Sequence, residues 1–184
     1  MKQRILVAAV AALVVAMPSF ARAQVESTPI PAATKPNFSS MEFLVGTWTC
    51  RTKSSRRPAA YVTTATYAMD PTGYWLVETS STATTSWVPT PLKTVDHITY
   101  DAYTKRWADV LTGDQGAYGL SFSKGWSGND MVWHDVSFAP SADISAQSDT
   151  TMTKVSATKT TSSSTFTEGK TGRKVTVMGT CTKS

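Results

Sequence analysis

The sequence contains little of the chemistry that most active sites require. Its 184 residues include only two histidines and two cysteines. His97 and His134 lie far apart with no metal-ligand spacing between them, which argues against a metal site. The Gly-x-Ser-x-Gly motif of serine hydrolases is absent. These absences favour a binding protein over an enzyme.

Carboxylates are also sparse, since aspartate and glutamate together account for 13 residues. Glu78, Asp96, Asp109 and Asp135 stand singly along the chain. Any two of them could meet inside a barrel, but nothing in the sequence pairs them. The sequence therefore provides no acid–base pair for catalysis.

The N-terminus has the pattern of a secretory signal peptide over residues 1–23. A basic start precedes an apolar run over residues 5–17, and Ala-Arg-Ala follows at residues 21–23. The alternative is a membrane anchor, but the run is too short to span a bilayer comfortably, so we expect no stable membrane insertion. Cleavage after Ala23 predicts a periplasmic or secreted protein that begins at Gln24.

Loss of this segment also changes the charge. Residues 1–23 carry three basic side chains and no acidic one, so the formal net charge falls from +5 to +2. Such a balance argues against nucleic acid as a partner. Residues 24–37 are rich in Pro, Ala, Thr and Ser and predict a flexible linker. The remaining residues, 38–184, suit one domain, whose oligomeric state the sequence leaves open.

Long helix signals are missing from this domain, whereas Thr, Ser, Val, Tyr and Trp abound, as strands prefer. A short helical turn is expected near residues 41–44. Turn residues recur at short intervals and separate about ten segments, several of which alternate apolar and polar residues. The predicted strands cover 46–56, 60–69, 74–81, 92–100, 106–112, 117–122, 130–138, 148–156, 160–167 and 173–182. This pattern predicts an all-β domain, either a sandwich or a barrel.

The two cysteines favour the barrel. Cys50 lies in the first predicted strand and Cys181 in the last, and an even count in an exported chain favours a disulfide. A bond between them places the first and last strands side by side, as closure of an up-and-down antiparallel barrel does. In that register Thr52 opposes Gly179 and Ser54 opposes Val177.

One segment resembles the start of lipocalin-like (calycin) barrels. In Phe43-Leu44-Val45-Gly46-Thr47-Trp48, a helical turn leads into Gly-x-Trp on the first strand. Gly46 allows a tight bend, and Trp48 is large enough to plug one end of the barrel.

Two more segments, 100–107 and 125–133, are similar to an uncharacterised bacterial family of exported, nitrobindin-like and fatty-acid-binding-protein-like barrels. The resemblance covers most of the chain from Phe43 onward. It implies a lipocalin-like barrel of ten strands around a cavity, and it implies no activity. Nitrobindins carry a haem-ligating histidine late in the chain, but no histidine follows His134 here. We therefore expect no haem and no other cofactor.

Aromatic residues could line such a cavity for a small, mostly apolar ligand. His134 shares a strand face with Val132 and Val136, so we expect it to point inward and offer a polar contact. The predicted ligand-binding residues are Tyr61, Tyr67, Trp75, Trp107, Tyr118 and His134. Two alternatives stay open: a cavity enzyme with isomerase- or hydratase-like chemistry that uses His134, and a structural or protein-binding envelope protein.

Overall fold

Strands make up most of the computed structural model, which describes residues 33–86, 89–141, 144–146, 148–168 and 171–184. A 3₁₀ helix covers Glu42–Leu44 and confirms the predicted helical turn. The strands are β1 Gly46–Ser54, β2 Tyr61–Met69, β3 Leu76–Thr82, β4 Lys93–Asp101, β5 Arg106–Gly113, β6 Tyr118–Ser123, β7 Trp126–Ser127, β8 Asp130–Ser141, β9 Ile144–Ala146, β10 Asp149–Ser156, β11 Lys159–Thr167 and β12 Lys174–Lys183.

Ten of these strands form a closed antiparallel barrel. Pairing runs in chain order from β1 to β6, passes from β6 to β8 and from β8 to β10, and returns through β11 and β12 to β1. The short strands β7 and β9 are additions that pair with β8. Closure pairs the edges that an open sheet would expose. The predicted barrel of about ten strands is confirmed.

A disulfide between Cys50 and Cys181 joins the first and last strands, as predicted. The two residues are direct partners across the β1–β12 ladder, and their Cα atoms are 3.9 Å apart. Thr52 opposes Gly179 and Ser54 opposes Val177, so the predicted register is also confirmed.

Alternate residues of each strand point into the barrel, and one end of its interior is tightly packed. This packed end contains large side chains that are nearly inaccessible to solvent: Met41, Leu44, Trp48, Leu76, Trp107, Met131 and Trp133. Phe38, from the segment before the 3₁₀ helix, stacks against Trp107 with ring centroids 5.4 Å apart. The 3₁₀ helix and its approach therefore cover this end.

Trp48 is anchored at the packed end by the turn that precedes it. Its indole Nε1 donates a hydrogen bond of 2.6 Å to the carbonyl oxygen of Leu44, and Phe43 meets its ring edge-on. Gly46 begins β1 with a φ of +124°, a region that favours glycine, and a Cβ there would lie 2.8 Å from Lys183 Cε. The Gly-x-Trp sequence thus combines a bend with a buried indole.

The proposed signal peptide, residues 1–23, lies outside the described residues, as does most of the proposed linker. The last linker residues, 33–37, are described. Tyr74 donates a hydrogen bond of 2.8 Å to the carbonyl oxygen of Ala33, and the Lys35 ammonium lies 5.6 Å from the Tyr74 ring centroid. None of the helical structure in the described ranges is long and apolar enough to cross a membrane.

Candidate ligand-binding site

A cavity of about 430 Å³ occupies the half of the barrel opposite the packed end. Its apolar wall comprises Tyr61, Leu92, Leu111, Trp133, Phe166 and Val177. Its polar lining comprises Ser54, Arg56, Arg57, Thr82, Asp109, Ser121, Asp135, Ser148, Thr150 and Ser164. The volume falls within the range of small-molecule sites, and the mixture of an apolar wall with a few polar groups is typical of them.

Two rows of polar residues cross the interior between the packed end and the cavity. In the first row Tyr67 of β2 opposes Glu78 of β3, which opposes Asp96 of β4. In the second row Asp109 of β5 opposes Ser121 of β6, which opposes Asp135 of β8. The strand register thus brings together the four carboxylates that lie singly in the sequence.

The first row lies in a dry environment that disfavours charge. Burial raises the pKa of Glu78, although a hydrogen bond with the Tyr67 hydroxyl works in the opposite direction. Burial also raises the pKa of Tyr67 well above its usual value, and Glu78 adds to this effect. The pKa of Asp96 rises to about 9, first because Asp96 is buried and then because Glu78 and Asp109 are acidic neighbours.

In the second row, Asp109 and Asp135 have different hydrogen-bond surroundings. Asp135 accepts a hydrogen bond of 2.9 Å from Ser121 and another from Ser148. Asp109 Oδ1 is buried and has no hydrogen-bond partner among the described residues. Burial, followed by the acidic neighbours Glu78 and Asp135, raises the pKa of Asp109 to about 7. The Asp109 carboxyl group lines the cavity, where it can accept a hydrogen bond from a ligand.

The mouth of the cavity carries an ion-pair cluster. Glu168 follows β11 and is buried, with its Oε1 atom 2.6 Å from Arg56 Nε and 3.5 Å from Arg173 Nη2. A hydrogen bond from Thr171, together with the two arginines, lowers the pKa of this carboxyl. Because Arg56 also lines the cavity, the cluster ties the β1–β2 connection to the β11–β12 connection at the opening.

The structure places Tyr61 in the cavity wall and Tyr67 deeper, in the first polar row. Ligand contact by these two residues stays a prediction. Trp107 is buried at the packed end between Phe38 and Tyr100, so it does not reach the cavity. Trp75 packs edge-on against His97 instead of lining the cavity, with ring centroids 6.0 Å apart.

The expectation that Tyr118 and His134 point inward is wrong. Tyr118 is 53% exposed, because its neighbour Gly119 takes the inward position in β6. In β8 the buried Trp133 faces the interior, so His134 points outward. There its Nδ1 atom lies 2.7 Å from Asp149 Oδ1, and the side chain is 55% exposed.

Sequence reasoning missed Trp133, Phe166, Asp109 and Asp135 as cavity residues. A usable signal was present in the period-two pattern. Asp109 stands between Trp107 and Leu111 on one face of β5, and Asp135 follows Met131 and Trp133 on one face of β8. A carboxylate on the same face as large apolar residues marks an interior polar group.

Within the described residues, no group of three or more His, Cys, Asp or Glu side chains is arranged to hold a metal ion.

Comparison with known proteins supports the fold alone. No protein-family model and no curated protein matches the sequence. Among solved structures, the S-type phycobiliprotein lyase of Guillardia theta aligns with a TM-score of 0.56 at 11% identity, covering 78% of this chain and 89% of the lyase. A redesigned β-barrel aligns with a TM-score of 0.45 at 12% identity, covering 77% of this chain and 92% of the redesigned barrel. The protein has a closed, ten-stranded antiparallel barrel whose fold is similar to that of the lyase.

Proposed function

We propose that this protein is an exported binding protein that holds a small, mostly apolar ligand in its barrel cavity. The observation that carries the proposal is the contrast between the two halves of the interior. One half is filled by buried aromatic and aliphatic side chains, whereas the other contains a cavity of about 430 Å³. A void of this size costs stability unless something occupies it.

The cavity wall suits a ligand with an apolar body. Tyr61, Trp133 and Phe166 contribute rings from three different strands or their ends, and Leu92, Leu111 and Val177 add aliphatic surface. Burial of apolar ligand surface against such a wall provides the main driving force for binding. Export is part of the proposal because an intramolecular disulfide suits an oxidising compartment and the sequence begins with a signal-like segment.

The alternative of a cavity enzyme loses its candidate residue. His134 lies on the outer face of β8 beside Asp149, so it cannot act on a molecule inside the barrel. A structural or protein-binding role would leave the cavity without a small ligand. A titration with an apolar dye distinguishes such a role from small-ligand binding.

A fluorescent titration with a blocked cavity tests the proposal. N-phenyl-1-naphthylamine, a neutral apolar dye, should bind the oxidised protein saturably at one molecule per chain. Ser164→Phe should abolish binding because Ser164 lines the cavity. Thr165→Phe is the matched control, since the adjacent side chain is exposed on the same strand. Equal dye binding by the two variants, or no response of the native protein to a broad apolar panel, would refute a ligand-binding cavity.

A further inference from the structure

Asp109 gives the cavity a chemical preference that its apolar wall alone does not. Asp109 lines the same space as Trp133 and Leu111, and its Oδ1 atom is buried and has no hydrogen-bond partner among the described residues. A buried acceptor without a donor costs free energy unless something donates to it. Because Asp109 lines the cavity, a ligand there can donate to its carboxylate.

The charge around this atom selects the kind of donor. Asp135 also lines the cavity and interacts electrostatically with Asp109. The cations that line the cavity, Arg56 and Arg57, belong to the β1–β2 connection at the mouth. Arg56 is held there by Glu168 at 2.6 Å. The floor of the cavity is therefore acidic and lacks an interior cation among the lining residues.

We propose that the ligand is an apolar molecule bearing a protonated amine, which donates to the Asp109 carboxylate at the floor of the cavity while the apolar body contacts Tyr61, Trp133 and Phe166. This inference rests on the proposed function and adds the ligand class. A neutral hydroxyl would satisfy the acceptor without balancing the acidic floor, and a carboxylate head would be repelled by it. An ammonium group both donates a hydrogen bond to the carboxylate and balances the negative charge of the floor. Such a charge-assisted hydrogen bond is stronger than a neutral one.

Three ligands with the same eight-carbon chain test the head group: octylamine, octanol and octanoate. Each displaces N-phenyl-1-naphthylamine from the oxidised protein, near neutral pH and at low salt. We expect octylamine to bind roughly tenfold more tightly than octanol, which corresponds to one charge-assisted hydrogen bond, and octanoate to bind most weakly.

Asp109→Asn removes the charge but keeps the side-chain shape. It should reduce the octylamine affinity to about that of octanol, and a dye titration of the same variant reports whether its cavity still binds an apolar molecule. Retained dye binding shows that the variant cavity is intact. Asp130→Asn, which removes an exposed carboxylate, is the control and should keep the full preference for the amine.

The outcomes separate the two proposals. If the dye and octanol bind but octylamine has no advantage, or keeps its advantage in Asp109→Asn, the inference about the amine is wrong and the binding function stands. If neither the dye nor any of the three ligands binds the native protein, the proposed function fails and this inference fails with it.

Discussion

Tyr67 and Glu78 face each other on adjacent strands inside the barrel, and their side chains are hydrogen-bonded. Asp96 continues the same row on β4. Hydrogen bonding satisfies polar groups in a buried site, but it does not remove the cost of burying charge. The row therefore makes the stability of the barrel sensitive to pH.

The first prediction concerns Asp96. The pKa of Asp96 rises to about 9 on folding, so the folded chain binds this proton more tightly than the unfolded chain does. The free energy of unfolding should therefore fall as pH rises from about 4 to about 9. Asp96→Asn resembles the neutral acid. It should be more stable than the native protein by roughly 1–3 kcal/mol near pH 8, with a smaller difference near pH 5.

Urea unfolding at several pH values measures this difference. Glu78 and Asp109 face Asp96, so the native slope contains their contributions as well, and Asp96→Asn should flatten it only in part. Carboxyls with a lowered pKa, such as Glu168, act below about pH 4.5 and do not interfere in this range. Asp130→Asn is the control. A slope identical in Asp96→Asn and the native protein would show that Asp96 ionises freely.

The second prediction concerns the Cys50–Cys181 disulfide, whose ends are 131 residues apart in sequence. A cross-link over so long a loop restricts the unfolded chain and should contribute about 5 kcal/mol by the loop-entropy argument. The double variant Cys50→Ser/Cys181→Ser should lose stability of this order in urea unfolding. The native protein, unfolded without reductant, should show no reactive thiol. Two reactive thiols, or a loss below about 1 kcal/mol, would contradict the prediction.

The third prediction concerns the Glu168 cluster at the mouth. Glu168 is buried and 2.6 Å from Arg56, whereas Arg173 is 3.5 Å away and 54% exposed. Because exposed pairs contribute little, Arg173→Met should cost less than about 1 kcal/mol. Arg56→Met should cost more than Arg173→Met, since it removes the cation closest to the Glu168 carboxylate. Thermal or urea unfolding compares the two, and equal losses would show that the short pair has no special role.

The cluster also has a pH dependence opposite to that of Asp96. The pKa of Glu168 is lowered by Thr171 first and then by the arginines, so its contribution is present above about pH 4.5 and is lost as pH falls below that value. In Glu168→Gln this acid-side loss should become smaller but not vanish, because Asp70 and Asp101 also have lowered pKa values, while the decline in stability toward high pH should persist.

The fourth prediction concerns Trp48, which is buried and donates to the Leu44 carbonyl oxygen at 2.6 Å. Trp48→Phe should cost roughly 1–3 kcal/mol, because it deletes part of the buried ring and leaves that carbonyl without its donor. Trp48→Ala should cost more, about 3–5 kcal/mol, because it creates a cavity at the packed end. Trp75→Phe, outside the cavity and the core, is the control and should cost less than about 1 kcal/mol.

Much of the fold could be predicted from the sequence because it depends on local patterns and one covalent constraint. Turn residues delimited the ten barrel strands, and the cysteines of the first and last strands identified both closure and register. Trp48 and Gly46 were recognisable because a bend followed by a large ring is a local signal.

The site was harder to predict because it depends on which face of each strand points inward. In β8 Val132, His134 and Val136 form one face, while Met131, Trp133 and Asp135 form the other. The face with Val132, His134 and Val136 looks like the one that packs inside the barrel, if one assumes that the carboxylate of the other face must lie on the outer surface. In the structure Asp135 is half-buried and faces the cavity between Ser121 and Ser148. A shift of one residue in the assigned face exchanges His134 for Trp133 as a lining residue.

The two ends of the barrel chain meet, since the Ser184 amide donates a hydrogen bond of 2.9 Å to the Thr47 carbonyl oxygen at the start of β1. Because every barrel strand pairs with a neighbour on each side, the barrel architecture does not depend on where along it the chain begins and ends. A circular permutant that joins Ser184 to residue 45 through a short tether and opens the Asp101–Arg106 hairpin would retain every barrel strand. In that permutant the same disulfide would close a loop of only roughly ten residues plus the tether, and its entropic contribution would fall from about 5 to about 3 kcal/mol.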